Sequence, residues 1–389
     1  MDWLYAIGFW GCACFVMYTY LGYPVYLWLV SRLYPQKIHK QLLEQVPAVS
    51  VVVAAKNEEA NITARLQNLC DQDYPLEQMQ LIVVSDGSND RTVELLKDFR
   101  TQLAGKALSP EIVIIELPES KGKPNALNTA VQKAQGEILV FTDCRQKFAT
   151  NALRELVANF SDPTIGCVSG ELLFYQQTDP TLEVEMGAYW KYEKAVRKLE
   201  SATGSVMGAT GAIYAIRKNL YNEIPASTLI DDVLIPLQVV GHGKRVIFDS
   251  GAVAYDVVSQ NIFQEWHRKV RTLTGNWQLL SLKPGLLNPW HNPFAARFFW
   301  HKVARLLVPF ALLGALIFSM LLDGLVYNFI FFIQVLFYGI AGLVCFIPAF
   351  RDNAVLKITY FFCVLNLAVM YALYIWLSGG SKTIWKNKK

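Results

Sequence analysis

The run VSVVVAA at Val49–Ala55, followed at once by KNEEANI at Lys56–Ile62, decides the fold. Near-continuous β-branched residues without polar alternation suit a strand buried on both faces of a parallel sheet. The polar stretch Glu58–Asp71 after it reads as a helix. Moving outward, the pattern repeats. Leu81–Ser85 (LIVVS) is a strand closed by Asp86-Gly87, and Thr92–Phe99 a helix. Glu111–Leu117 (EIVIIEL) is a third strand. Pro124–Ala134 is a helix with proline in its first turn, where the missing N–H costs nothing. Ile138–Thr142 (ILVFT) is a fourth strand, ending at Asp143. Strand–helix alternation of this kind predicts an α/β, Rossmann-like, mostly parallel open sheet. Ligands bind such sheets at the carboxyl ends of the strands. Lys56-Asn57-Glu58, Asp86 and Asp143 all fall there.

The flanks differ in kind. Over 389 residues the chain is 53% hydrophobic and 17% charged, a balance that points to a membrane protein. Trp3–Val30 carries no charge and exceeds the roughly 20 apolar residues a bilayer requires. Arg32, Lys37 and Lys40 follow, so the positive-inside rule puts the middle of the chain in the cytosol. Leu306–Leu322, Gly324–Phe350 and Ile358–Ser381 are three more uncharged stretches. Pro284–Trp300, rich in proline and aromatics, reads as interfacial. The expected organisation is an N-terminal transmembrane helix at 1–35, a cytosolic domain at 36–283, an interfacial segment at 284–302, and about three transmembrane helices at 303–389. The chain is thus expected to be an integral protein of a plasma or inner membrane. Four spans place the tail outside, whereas its four lysines (KTIWKNKK) argue for inside. A net charge of +4, with no basic run interleaved with aromatics, argues against nucleic acid as a partner. The seven cysteines show no zinc spacing.

Each candidate chemical residue has a plain alternative when taken singly. Ser85–Asp90 (SDGSND) offers a carboxylate to a base or ribose, or is an Asx turn. Lys121-Gly122-Lys123 opens a helix and suits a phosphate, or is a solvated basic loop. Asp143 can hold Mg²⁺ or Mn²⁺, or cap a helix. Asp231-Asp232 can supply a general base, or is an acidic helix start. Arg268 and Arg271 share a helix face that can bind phosphate or lie on anionic lipid.

Their order and spacing carry more than any one of them. The succession VSVVVAAKNEEANI, SDGSNDRT, KGKPNALNTA, ILVFTD, VSGELLF, GATGAIYAIRK and LIDDVLIP resembles the family 2 glycosyltransferases of the GT-A fold. Relatives with membrane helices include cellulose, chitin and hyaluronan synthases and ceramide glucosyltransferases. The resemblance covers about Val49 to Gln278. It implies a nucleotide-sugar donor, UDP-linked by resemblance alone, and inverting transfer. The acceptor would be a polysaccharide at the membrane or, alternatively, a ceramide, diacylglycerol or polyprenyl phosphate. It further implies that Ala55, Lys56, Asn57, Glu58 and Asp86 hold the nucleotide. Lys123 would sit near the diphosphate, and Asp143 would be the first carboxylate of the DxD motif. Gly208, Ala209, Thr210 and Gly211 would flank the acceptor. Asp232, beside Asp231, would be the catalytic base.

Two departures are legible. The second DxD carboxylate is absent, because the chain reads Asp143-Cys144-Arg145. Either Asp143 would then serve alone with the diphosphate oxygens, or Arg145 would take part of the charge role there. The family's QxxRW motif is matched only by Arg268-Lys269-Val270-Arg271-Thr272, so processive synthesis is not supported. Trp266 or Trp277 would substitute in the acceptor site. A homo-oligomer or a partner membrane protein would be needed to complete a polymer channel.

Overall fold

Each apolar run becomes a strand. β1 (Val49–Ala55), β2 (Met79–Asp86), β3 (Glu111–Leu117) and β4 (Ile138–Thr142) pair in parallel in the order β3-β2-β1-β4. The computed structural model describes residues 2–41, 46–105, 108–176, 179–183, 188–257, 262–290, 292–347, 350 and 353–380. The chain forms two compact units: residues 27–260 with 290–294, and residues 1–26, 261–289 and 295–389.

In the first unit the sheet continues beyond β4 through β5 (Lys147–Phe148), β6 (Ile165–Gln176), β7 (Asp179–Glu183), β8 (Tyr214–Arg217) and β9 (Arg245–Val257). The full order is β3-β2-β1-β4-β8-β6-β9-β5, with β7 beside β6. Parallel pairing makes up most of the ladder, and β8 enters antiparallel to both neighbours. Strand order reverses at β1, which has β2 on one side and β4 on the other. That reversal opens the crevice where doubly wound sheets take ligands. Val49, Val51, Val53, Leu81, Val83 and Val140 are fully buried, as parallel strands covered on both faces require.

Helices α1 (Asp2–Met17) and α2 (Tyr23–Leu33) precede the sheet. Helices α3 (Ile62–Cys70), α4 (Thr92–Leu103) and α5 (Lys123–Lys133) follow the first three strands. They are succeeded by α6 (Ala152–Ala158), α7 (Ala188–Thr203) and α8 (Asp231–Gly241). In α3 the buried face is Ile62, Arg65, Leu66 and Leu69, so an arginine occupies an apolar position.

The second unit is helical. It holds α9 (Ile262–Leu282), α10 (Ala295–Phe298), α11 (Ala304–Leu321), α12 (Leu325–Phe346) and α13 (Ala354–Leu377). Four helices have the length and apolar composition to cross a membrane: Asp2–Leu33, Ala295–Leu321, Leu325–Phe346 and Val355–Leu377. At 1.5 Å per residue even the 22-residue helix exceeds a hydrocarbon core of about 30 Å. On α12, Phe329, Phe332, Leu336 and Phe346 point outward, an apolar face that suits a lipid or protein surround rather than water. Close packing of α1 on α11 depends on Gly8, because a Cβ there would lie 2.6 Å from the Phe318 ring. Asn353 caps α13 by accepting from the Val355 and Leu356 amides.

The interfacial segment divides. Pro284–Leu287 is one 3₁₀ turn, while Ala295 onward joins the helix that continues into α11. Residues 262–282, read from sequence as the end of the sheet domain, pack along α13. Arg351, Asp352 and the lysine-rich tail from Lys382 lie outside the described residues.

Candidate active site

The site grows from four strand ends. After β1, Asn57 takes a positive φ of 53°, a conformation asparagine tolerates better than most residues. This turns the chain so that Lys56–Glu59 laces onto the loop after β2. The Asn57 amide donates to Ser88 Oγ at 3.1 Å, and the Asn89 amide donates back to Asn57 Oδ1 at 3.0 Å. The Glu58 amide donates to Thr92 Oγ1 at 2.8 Å. Lys56 Nζ donates to Ser120 Oγ at 2.9 Å. Ala55 is buried at the end of β1.

Asp86 ends β2 and is 3% exposed. Its carboxylate accepts from Ser120 Oγ (2.8 Å) and from the amides of Lys121 (2.8 Å) and Gly122 (2.9 Å). The acid thereby pins the loop that leads into α5. Gly87 is required for this, because its φ is +63° and a Cβ would lie 2.5 Å from the Ser120 amide nitrogen.

Lys123 opens α5 and is the centre of the charge pattern. Its Nζ lies 2.9 Å from Asp143 Oδ1, at the end of β4, and 3.2 Å from Asp231 Oδ2, at the start of α8. Burial works against this ammonium. The carboxylates of Asp143, Asp231 and Asp232 outweigh that and hold it above the ordinary lysine range. Asp231 is buried, whereas Asp143 and Asp232 are partly open.

Asp232 touches the glycine-rich loop before β8. The Ala209 amide donates to the Asp232 backbone carbonyl at 2.7 Å. A Cβ on Gly211 would lie 2.9 Å from Asp232 Oδ2. Gly208 carries a φ of +132°. The Thr210 amide donates to Ser169 Oγ (2.9 Å), and Arg197 Nη1 donates to Thr210 Oγ1 (2.9 Å). Gly211→Ala is therefore expected to push the Asp232 carboxylate aside and lower kcat by about 10–100-fold, since a misplacement of about 1 Å can cost about 100-fold. Initial rates beside a melting curve check this. Wild-type kcat in a folded Gly211→Ala protein would mean that the contact carries no chemistry.

Arg145 is held by a carboxylate within the sheet unit. It forks onto Asp256 of β9, with Nε to Oδ1 at 2.9 Å and Nη2 to Oδ2 at 2.5 Å. Asp256 also accepts from Gln146 Nε2 and from the Val257 amide. Arg145 is thus engaged as a brace between the β4–β5 connection and β9. Arg268, Arg271 and Trp277 lie on α9 in the helical unit. Trp277 packs there with Leu306, Val369 and Ala372, and it stacks on Trp376 at 6.3 Å. The site described here consists of residues of the sheet unit.

Sequence reading passed over Ser120, Ser169, Arg197, Asp256 and Arg65. Only two of them left a signal. Asp256 is a carboxylate in the apolar half of its strand, after Gly251-Ala252-Val253-Ala254-Tyr255, and Arg65 is a charge on the apolar face of α3. The other three act through contacts that no local pattern encodes.

Among the described residues no group of three or more His, Cys, Asp or Glu could hold a metal. Asp143 alone suits Mg²⁺ or Mn²⁺, ions that bind through one or two carboxylates with substrate phosphates and water supplying the rest.

Against known sequences, residues 50–224 match the Glycosyl transferase family 2 profile, and residues 140–377 match Glycosyl transferase family group 2. The second match takes in more than half of the chain. The chain belongs to glycosyl transferase family group 2. This transferase is similar to poly-beta-1,6-N-acetyl-D-glucosamine synthase of Staphylococcus epidermidis, with 20% identity over 277 residues. It is 21% identical to the enzyme of the same name from Staphylococcus aureus strain COL. In both cases the match covers 67% of this chain and 65% of the relative. Among solved structures it resembles the mannosyltransferase PcManGT from Pyrobaculum calidifontis, solved with GDP-Man and Mn²⁺. The TM-score is 0.71 at 22% identity, covering 94% of this chain and 98% of that one. At that identity the likeness establishes a shared fold, GT-A.

Proposed function

We propose that the transferase moves a hexose from a cytosolic nucleotide-sugar to a hydroxyl of a membrane-associated acceptor in cell-surface polysaccharide assembly, with inversion at the anomeric carbon. The observation that carries this is the Lys123 bridge. One ammonium contacts both the strand-end carboxylate Asp143 and Asp231, the neighbour of Asp232. Donor-side and acceptor-side acids therefore belong to one site.

The nucleotide lies along the laced loops of Lys56–Glu59 and Ser85–Asp90, with the diphosphate toward Lys123 and the α5 N-terminus. There the helix dipole and the Lys123 ammonium favour negative charge. Asp232, half-buried beside Gly211, accepts the proton from the acceptor hydroxyl as its oxygen bonds to the anomeric carbon. The bond from that carbon to the diphosphate oxygen breaks in the same step, and Lys123 faces the charge that develops there. Asp143 would hold a divalent cation when one is bound, and the cation would supply further neutralisation of the leaving diphosphate. Asp143→Asn is expected to raise the Mn²⁺ or Mg²⁺ concentration at half-maximal rate by about tenfold, the value of one lost charged contact. A metal titration of both proteins checks this, and coincident curves would remove Asp143 from the role.

The test of the reading uses purified protein in nanodiscs with a panel of UDP- and GDP-sugars and lipid extract. Nucleotide release and the anomeric configuration of the product are read. Release with one donor and an inverted product supports the reading. A retained configuration, or the absence of release with every donor, defeats it. A one-sugar lipid product rather than a polymer would assign the glycolipid-forming alternative.

A further inference from the structure

Arg65 is 1% exposed, on the inner face of α3. A guanidinium taken out of water costs several kcal/mol unless it is compensated. Among the described residues no carboxylate lies within ion-pair distance of it, and its Nε has no hydrogen-bond partner. Burial pulls its ionisation down to about 9, which leaves it charged at neutral pH. An apolar side chain of similar size would be the cheaper occupant for stability alone. The contacts that Arg65 does make are directional. Nη1 donates to Asn68 Oδ1 at 2.6 Å, and Nη2 donates to Thr142 Oγ1 at 2.7 Å. Asn68 is itself fixed, accepting from the Phe148 amide and donating to the Phe148 carbonyl. The guanidinium rests 4.2 Å above the Phe148 ring centroid.

Thr142 is what Arg65 reaches. It is 2% exposed and is the last residue of β4, immediately before Asp143. Its hydroxyl accepts from Arg65 and donates to the Ala212 carbonyl at 2.8 Å. Ala212 follows Gly211, the residue pressed against Asp232. One buried hydroxyl thus ties the donor-side strand end to the acceptor-side loop, and Arg65 orients it from beneath.

We propose that Arg65 is a positioning residue that, through the Thr142 hydroxyl, sets the separation between Asp143 and the Gly208–Gly211 loop beside Asp232. The inference rests on the function proposed above. In-line displacement requires reacting atoms about 3–3.5 Å apart, so the device acts on turnover more than on donor affinity.

The test compares Thr142→Val, Thr142→Ser, Arg65→Met and the Thr142→Val/Arg65→Met pair with wild type and Asp232→Asn. kcat is measured in nanodiscs, with the affinity for the free nucleoside diphosphate measured by calorimetry. Thr142→Val, which keeps shape and loses the hydroxyl, is expected to lower kcat by about 10–100-fold, with affinity changed by less than about threefold. Thr142→Ser restores the rate. Arg65→Met repeats the Thr142→Val effect, and the pair is no worse than either single change, because both act through one network. A folded Thr142→Val protein with wild-type kcat, or a serine that fails to rescue, overturns the proposal while leaving the transferase reading in place. Wild-type release that persists in Asp232→Asn defeats the functional reading and the positioning proposal together.

Discussion

Asp232→Asn is expected to lower transfer by about 10²–10⁴-fold, the usual range for removing a general base, while the donor still binds. Asparagine matches aspartate in shape, so the contact with Gly211 and the backbone bond from the Ala209 amide survive the change. On the proposed mechanism, what is lost is the carboxylate that takes the acceptor's proton. Asp231 cannot take over, because it is buried and its carboxylate is committed to Lys123 at 3.2 Å. Single-turnover rates and calorimetric donor affinity separate the two effects. A large loss of rate with affinity retained supports the assignment, whereas near-wild-type turnover would remove Asp232 from the chemistry.

Lys123→Met is expected to have the second largest effect, a loss of about 10²–10³-fold in kcat, comparable to removing one preorganised donor from a developing anion. Methionine fills the same space and takes away the ammonium that contacts both Asp143 and Asp231. Three carboxylates, with Asp232, then face one another and the incoming diphosphate without that cation. Donor affinity should fall as well, which distinguishes this variant from Asp232→Asn. A stability cost follows with a definite sign. The folded ammonium titrates above its ordinary value, so its contribution is complete below the free-lysine pKa of about 10.4. It is lost only as pH climbs through the higher folded value. The melting-temperature gap between wild type and Lys123→Met should therefore persist across neutral pH and close only in strong alkali. Equal donor affinity in the two proteins would place the diphosphate elsewhere.

The departure at the DxD motif takes a different form in three dimensions from the one the sequence implies. Arg145 stands where a second carboxylate is expected, which suggests a diphosphate-facing cation. In the fold its fork is closed on Asp256, more than a hundred residues away. A hydrogen-bonded pair of this kind satisfies the one buried carboxylate on β9. Nothing near Arg145 in the chain announces that partner. The same holds for Arg65, whose spacing with Ile62, Leu66 and Leu69 places a charge on a buried face but does not say what it meets.

The sequence by itself determined the parts that depend on local periodicity and strand-end chemistry. The apolar runs at Val49–Ala55, Leu81–Ser85 and Ile138–Thr142 form buried strands, as such runs do in sheets covered on both faces. The long uncharged stretches lie in the four apolar helices seen. Acids at strand ends were bound to gather at the crevice where strand order reverses. Tertiary structure alone decided which side chains meet. The Lys123 bridge between Asp143 and Asp231, the contact of Gly211 with Asp232, and the path from Arg65 through Thr142 to Ala212 each join distant segments. Hydrogen bonds and ion pairs act only at short range, so their partners are set when the sheet closes and not by spacing along the chain.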